Sequence, residues 1–195
     1  MNLQLRIFGT LSLILLTAVF AFAQKPQPAP TDKLPLHERI EFPEVEGWEL
    51  GEKSPLPAGD DGIFINYDSP GRERVTIYVY RRGSGDVPDK LSGLVKEEFD
   101  GAREAIKTVA DAGMYTDLKE SKSDTAAIGA TGKVKALHVQ MTFKARGAPL
   151  NSEIYVFPYK GYIVKIRATR PAAVDKTRDE SYARLLAAID ELFSK

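Results

Sequence analysis

The run "KVKALHVQMTFKA", Lys133 to Ala145, alternates apolar and polar side chains. Leu137, Val139, Met141 and Phe143 fall on one side, and Ala136, His138, Gln140 and Thr142 on the other. A period of two belongs to an extended strand with one buried face; a helix would scatter those apolar residues around its circumference. The same rhythm runs through "DGIFINYD", "ERVTIYVYRR", "SEIYVF" and "YIVKIRAT". Short turn signals separate them. "SPGR" joins the first pair, with Pro70-Gly71 suited to the two central positions of a type II turn. "PYKG" joins the last pair. Strands joined by tight turns lie antiparallel, so the middle of the chain is committed to an antiparallel sheet.

Two segments carry the other period. In "VPDKLSGLVKEEFDGAREAIKTVADAG", Leu91, Leu94, Val95, Phe99, Ala102, Ile106, Val109 and Ala110 recur at spacings of three and four. That predicts one helix of about five to six turns, with Asp89 or Ser92 as its N-cap and Gly113 closing it. Glu97, Glu98 and Asp100 are expected on its solvated face. After Pro171, the stripe Tyr182, Leu185, Leu186, Ile189, Leu192 and Phe193 predicts a closing helix. "MYTDLKESKS" reads as a further strand, "DTAAIGATGK" as a turn-rich connection and "RGAPLN" as a loop. Ile40 and Phe42 suggest a short first strand, and Trp48, the only tryptophan, a core or rim anchor. The expected class is α+β: an antiparallel β-sheet with a long middle helix and a C-terminal helix packed on it.

Residues 1–23 stand apart from this pattern. Arg6 precedes the apolar run "LSLILLTAVFAFA", which ends at Ala21-Phe22-Ala23, the small-x-small form of a signal-peptidase site. Ile7 to Ala23 is 17 residues, short for a membrane span of about 20. A signal peptide is therefore favoured over a retained anchor, and an exported, periplasmic or secreted protein is expected. Residues 24–36, with "QKPQPAPTDKLP", read as a Pro-rich linker, and 37–195 as a single domain. The chain has 27 Lys+Arg and 27 Asp+Glu, of which only Arg6 lies in the leader. Such a balance gives no global attraction to nucleic acid or to an anionic membrane. Cysteine is absent, which excludes a disulfide framework, a thiol nucleophile and thiolate metal ligands.

In element order and apolar pattern the chain resembles the PsbP-like/Mog1-like α/β/α sandwich, including small periplasmic proteins of the DcrB type. The likeness runs from about Phe42 to Phe193, through "GWEL", "RVTIYVYRR", "IGATGKVKALHVQMTF" and "GYIVKIRATRP", to the final "AIDELF". It implies a sheet sandwiched by helices and a non-catalytic accessory or binding role. It carries over no functional residue.

Catalytic signatures fail one by one. His37 and His138 share no metal-ligand spacing, and no G-x-S-x-G elbow is present. "IGATGKV" departs from a phosphate loop at both ends: Ala127 stands where glycine is needed, and Val134 follows Lys133 where Ser or Thr is needed. Asp60 and Asp61 lack the alternating oxygen ligands of a calcium loop and read as turn residues. No metal and no cofactor is expected. One constellation remains, formed by Tyr78, Tyr80, His138, Gln140, Tyr155, Phe157, Lys165 and Arg167 on the polar sides of the strands. Aromatic bodies with polar tips beside two cations suit an anionic or sugar-like ligand, or a protein partner.

Their convergence depends on "PYKG". A three-residue loop with Gly161 in a bulge puts Tyr155 and Phe157 on the face of Lys165 and Arg167; a four-residue loop puts them on opposite faces. The glycine favours the bulge. The bland reading is a wet sheet face, or tyrosines covered by a helix as core. The functional expectation is an exported, non-catalytic accessory or interaction domain of the bacterial envelope, acting on an envelope protein or a small ligand without spanning the membrane. The alternatives are a small-ligand carrier for an anion or sugar, and a hydrolase working with carboxylates or His138.

Overall fold

The alternating segments form strands Glu49–Leu50 (β1), Ser54–Pro55 (β2), Asp61–Asp68 (β3), Arg74–Arg81 (β4), Tyr115–Glu120 (β5), Asp124–Ala127 (β6), Lys135–Ala145 (β7), Ala148–Tyr159 (β8) and Tyr162–Pro171 (β9). The helices are Leu36–Arg39 (α1), Leu94–Asp111 (α2) and Lys176–Phe193 (α3). The structure is a computed structural model and describes residues 35–57, 61–83 and 87–195. The leader, most of the Pro-rich segment and Asp60 lie outside the described residues. All strand pairings are antiparallel, in the order β1-β3-β4-β9-β8-β7-β5, with β2 also beside β3 and β6 also beside β7. This is the α+β class that the two periodicities predict.

Each side of the sheet has its own apolar layer. On one side Val75, Ile77, Val79, Phe157, Val164 and Ile166 meet Tyr182, Leu185, Leu186, Ile189 and Phe193 of α3. On the other, Val139, Met141, Ile154, Val156 and Ile163 meet Val95, Phe99 and Ile106 of α2. Full burial of one such side chain contributes about 1.5–3 kcal/mol. Both layers can thus hold by ordinary burial, as a chain without cysteine requires.

Several local expectations are revised. Ile40 and Phe42 do not form a strand; they follow α1 unpaired and enter the α3-side core with Trp48. Pro43 follows Phe42 and has no N–H for a ladder; its carbonyl accepts from the buried Tyr67 hydroxyl at 2.8 Å. Trp48 is the anchor expected, its Nε1 donating to the Ser181 carbonyl at 3.3 Å. Gly71 stays outside the left-handed region, which excludes the type II turn; Arg72 takes the positive φ of 62° instead. A Cβ on Gly71 would lie 2.5 Å from the Arg178 guanidinium, so a larger residue there would make that side chain shift. Neither Asp89 nor Ser92 caps α2; Gly93 occupies the cap at φ 55° without a side-chain bond, and Leu91 lies ahead of the helix. The "DTAAIGATGK" connection contains β6, and "RGAPLN" shrinks to the two-residue turn Arg146-Gly147 between β7 and β8.

The glycine-rich stretch after β6 is a structural clasp. Asp190 of α3, fully buried, accepts from Val134 N at 2.7 Å, Lys133 N at 3.3 Å and the Thr131 hydroxyl. Gly129, at φ 71°, packs so closely on α3 that a Cβ would lie 2.9 Å from the Leu186 backbone.

Candidate functional site

The hairpin "PYKG" decides where the eight candidate residues go. Lys160 and Gly161 both take positive φ, 48° and 82°, as a two-residue loop of the primed type whose twist matches the flanking strands. Tyr159 therefore pairs with Tyr162, Phe157 with Val164 and Tyr155 with Ile166. The expected three-residue bulge is not formed, and the face assignment that depended on it is reversed. Tyr78, Tyr80, Lys165 and Arg167 lie on the α2 side. His138, Gln140, Tyr155 and Phe157 lie on the α3 side, because facing partners share a side while neighbours in sequence alternate. Tyr80, Tyr155 and Phe157 are buried at 3%, 5% and 1% exposure, so their rings are core.

The α2-side group is a half-exposed shelf. α2 packs on β8 and β5, and the strip formed by β3, β4 and β9 beside it is only partly covered. Pairing across these strands sets two rows: Phe64, Tyr78 and Lys165, then Asn66, Thr76 and Arg167. The Lys165 ammonium lies 4.6 Å from the Tyr78 ring centre and 5.3 Å from that of Tyr80. Such contacts contribute roughly 0.5–2 kcal/mol, depending on desolvation, and they fix where the cation stands. Tyr78 in turn packs on Phe64, with ring centres 6.1 Å apart. Thr76 donates to the Asn66 side-chain oxygen at 2.8 Å. Arg167 reaches Tyr115 only through a long 3.5 Å bond, and its Nε is buried without a hydrogen-bond partner. No carboxylate among the described residues pairs with Arg167.

One residue of the shelf's edge escapes the sequence reading. Glu98 is buried rather than solvated, at 5% exposure; it accepts from the Tyr80 hydroxyl at 2.6 Å and lies 2.5 Å from Arg82 Nε. The signal was present. Glu98 falls three residues after Val95 and four before Ala102, within the apolar stripe.

The α3-side group is a clamp around His138. Its ring stacks on Tyr155 at 4.5 Å. Nδ1 is 3.3 Å from Asp124 and Nε2 is 3.6 Å from Glu153, so each nitrogen faces a carboxylate. Tyr155 donates to Glu153 at 2.6 Å. Burial alone would lower the imidazole pKa, but Glu153 and Asp124 outweigh it and raise the pKa above 6.5. Burial would raise the Glu153 carboxyl, yet His138 and Tyr155 hold it below 4.5. Burial, then Glu153, push the Tyr155 phenol well up. Nδ1 is at hydrogen-bond distance from Asp124, whereas Nε2 is buried without a hydrogen bond and has Glu153 only as an ion-pair neighbour. Gln140 stands outward on the same face, its backbone N–H bonded to Ser121 Oγ at 3.1 Å. His37 is separate, buried against the Tyr162 ring at 5.6 Å. Among the described residues no three His, Asp or Glu side chains converge as a metal site, and no helix is long and apolar enough to cross a membrane.

No protein-family model and no curated protein matches the chain. Among solved structures the chain is similar to LpqN of Mycobacterium tuberculosis, a protein involved in cell envelope biogenesis. That similarity covers 80% of each chain at 13% identity with a TM-score of 0.33. A likeness this loose bears on neither fold nor function.

Proposed function

We propose that this chain is an exported, non-catalytic binding domain of the bacterial envelope that uses the β4–β9 shelf to hold an anionic group of an envelope component. The observation that carries the reading is Arg167. Its guanidinium is half-buried, pairs with no described carboxylate and keeps Nε without a partner. A buried donor left unpaired costs about 1–3 kcal/mol, and an oxyanion on the shelf would complete it with a charge-assisted bond. Lys165, two residues away on the same side and held over two tyrosine rings, supplies a second charge. Tyr78 and Phe64, both half-buried, offer apolar area for whatever carries the anion. The non-catalytic part rests on the sequence, which carries no G-x-S-x-G elbow and no metal-ligand spacing of histidines. The PsbP-like/Mog1-like resemblance belongs to the same proposal, supported by the helix–sheet–helix layering.

A thermal-shift panel of carboxylates, phosphates and anionic sugars tests it. A ligand at 100 times its Kd stabilises the native state by about 2.7 kcal/mol, or roughly 5–10 °C for a domain of this size. At least one member should stabilise the wild type and leave the double variant Lys165→Glu/Arg167→Glu unmoved. Equal stabilisation of both proteins, or none of either, would overturn the reading.

A further inference from the structure

A second cation cluster draws on three segments outside the β4–β9 shelf, and no motif points to it. Lys90 comes from the segment before α2, Lys133 from the Asp190 clasp and Lys135 from the start of β7. All three line one surface cleft of about 480 Å³. That volume lies within the range of small-molecule pockets, about 300–1,000 Å³. The three side chains are exposed, and none pairs with a carboxylate among the described residues. Between them the cleft is lined by Leu91, Pro158 and Phe193, and Phe193 is firmly seated, with the Phe157 ring at 5.5 Å and the Tyr159 ring at 5.0 Å.

Three like charges around one cleft repel each other, and nothing in the fold needs them there: Lys133 and Lys135 flank a residue whose backbone, not side chain, makes the clasp. The cleft is also preorganised. The bonds from Lys133 N and Val134 N to the fully buried Asp190 fix the backbone from which Lys133 projects. Among the described residues Asp89 is the one carboxylate side chain lining the cleft, against three lysines. The ammonium groups are point charges on flexible stems, and several of them can converge on the oxygens of one doubly charged phosphate, a role lysine takes in phosphate sites. Leu91 and Pro158, both half-buried, ask for apolar mass next to that phosphate, with buried Phe193 as the floor beneath.

We infer that this cleft binds a phosphomonoester carried on an apolar body, with the phosphate between Lys90, Lys133 and Lys135 and the apolar part against Leu91 and Pro158. The site is independent of the β4–β9 shelf and can fail or hold without it.

Calorimetric titration of the full-length protein with octyl phosphate, inorganic phosphate and octyl glucoside tests the inference. Octyl phosphate should bind, inorganic phosphate at least about 10-fold more weakly, and octyl glucoside not at all, since the site needs both charge and apolar contact. The double variant Lys133→Glu/Lys135→Glu should bind octyl phosphate at least about 10-fold more weakly, the loss expected of one or more charge-assisted bonds. Its melting temperature should stay close to wild type, because both side chains are exposed. A second arm uses phosphatidic acid vesicles against phosphatidylcholine vesicles. Selective binding to the former supports the site with a membrane lipid as source; binding of octyl phosphate alone supports it with a soluble source. Undetectable octyl phosphate binding, equal affinity for inorganic phosphate or octyl glucoside, or unchanged affinity in the folded charge-reversed variant would overturn it. The Lys165→Glu/Arg167→Glu protein should retain octyl phosphate binding, which separates this site from the shelf.

Discussion

Replacing Asp190 by alanine should damage this fold more than any surface substitution. The carboxylate is fully buried and takes hydrogen bonds from Val134 N at 2.7 Å, Lys133 N at 3.3 Å and the Thr131 hydroxyl. Bonds to a charged group contribute about 1.5–3 kcal/mol each, and a buried donor left without an acceptor costs about 1–3 kcal/mol. Val134 N is such a donor, and the long Lys133 bond contributes least. Some of the loss is recovered because the alanine no longer has to desolvate a charge. A net loss of about 3–5 kcal/mol follows, equivalent to a fall of roughly 6–20 °C in Tm at about 2–4 °C per kcal/mol. Asp190→Asn keeps one oxygen for Val134 N and should lose only about 1–2 kcal/mol. Urea unfolding followed by the fluorescence of Trp48, which is buried beside α3, reads both variants. A loss below about 1 kcal/mol for Asp190→Ala at unchanged m-value would refute the claim that this residue clasps the 128–134 segment to α3.

Glu73 is buried at 2% exposure and faces Arg170 at 3.0 Å and Arg178 at 3.5 Å. Removing one partner of a buried pair typically costs about 3–5 kcal/mol, so Glu73→Ala should fall in that range by urea unfolding, and a loss under about 1 kcal/mol would contradict the lock between the β3–β4 turn and α3. The His138 clamp predicts a pH profile. The raised imidazole contributes stability that is complete below pH 6.5 and fades as pH rises through its folded value, while the lowered Glu153 contributes stability that is present above pH 4.5 and fades as pH falls through its own. This pair's contribution is therefore greatest between pH 4.5 and 6.5; His138→Gln should flatten the decline on the alkaline side, and an unaltered slope in unfolding free energy between pH 6 and 9 would count against the clamp.

The periodic parts of this fold were legible in the sequence. The alternation in β7 placed Leu137, Val139, Met141 and Phe143 together, and α2 follows its stripe. What escaped was set by single residues. β6 is a run of Thr and Ala too short and too small to show a period, and it exists because β7 offers an edge next to it. The two-residue turn Lys160-Gly161 needs a left-handed lysine, a conformation few side chains adopt, and its one-residue difference from a bulge moved half of the candidate residues to the other side of the sheet. Glu98 was hidden by its charge, although its position in the stripe pointed inward. The lysine cleft draws on three separated segments, so no spacing within the chain could show it.

The face assignment of the aromatic residues is the part of the account on which the proposed function rests, and fluorine spectroscopy tests it most directly. With 3-fluorotyrosine in place of tyrosine, and Tyr78→Phe and Tyr80→Phe used to assign signals, the anion identified by the thermal-shift panel is titrated into the wild-type protein. Binding at the β4–β9 shelf should shift the signals of Tyr78, Tyr80 and Tyr115 together and leave Tyr155 and Tyr182, on the α3 side, unmoved. Shifts confined to Tyr155 and Tyr182, with Tyr78 silent, would contradict the account.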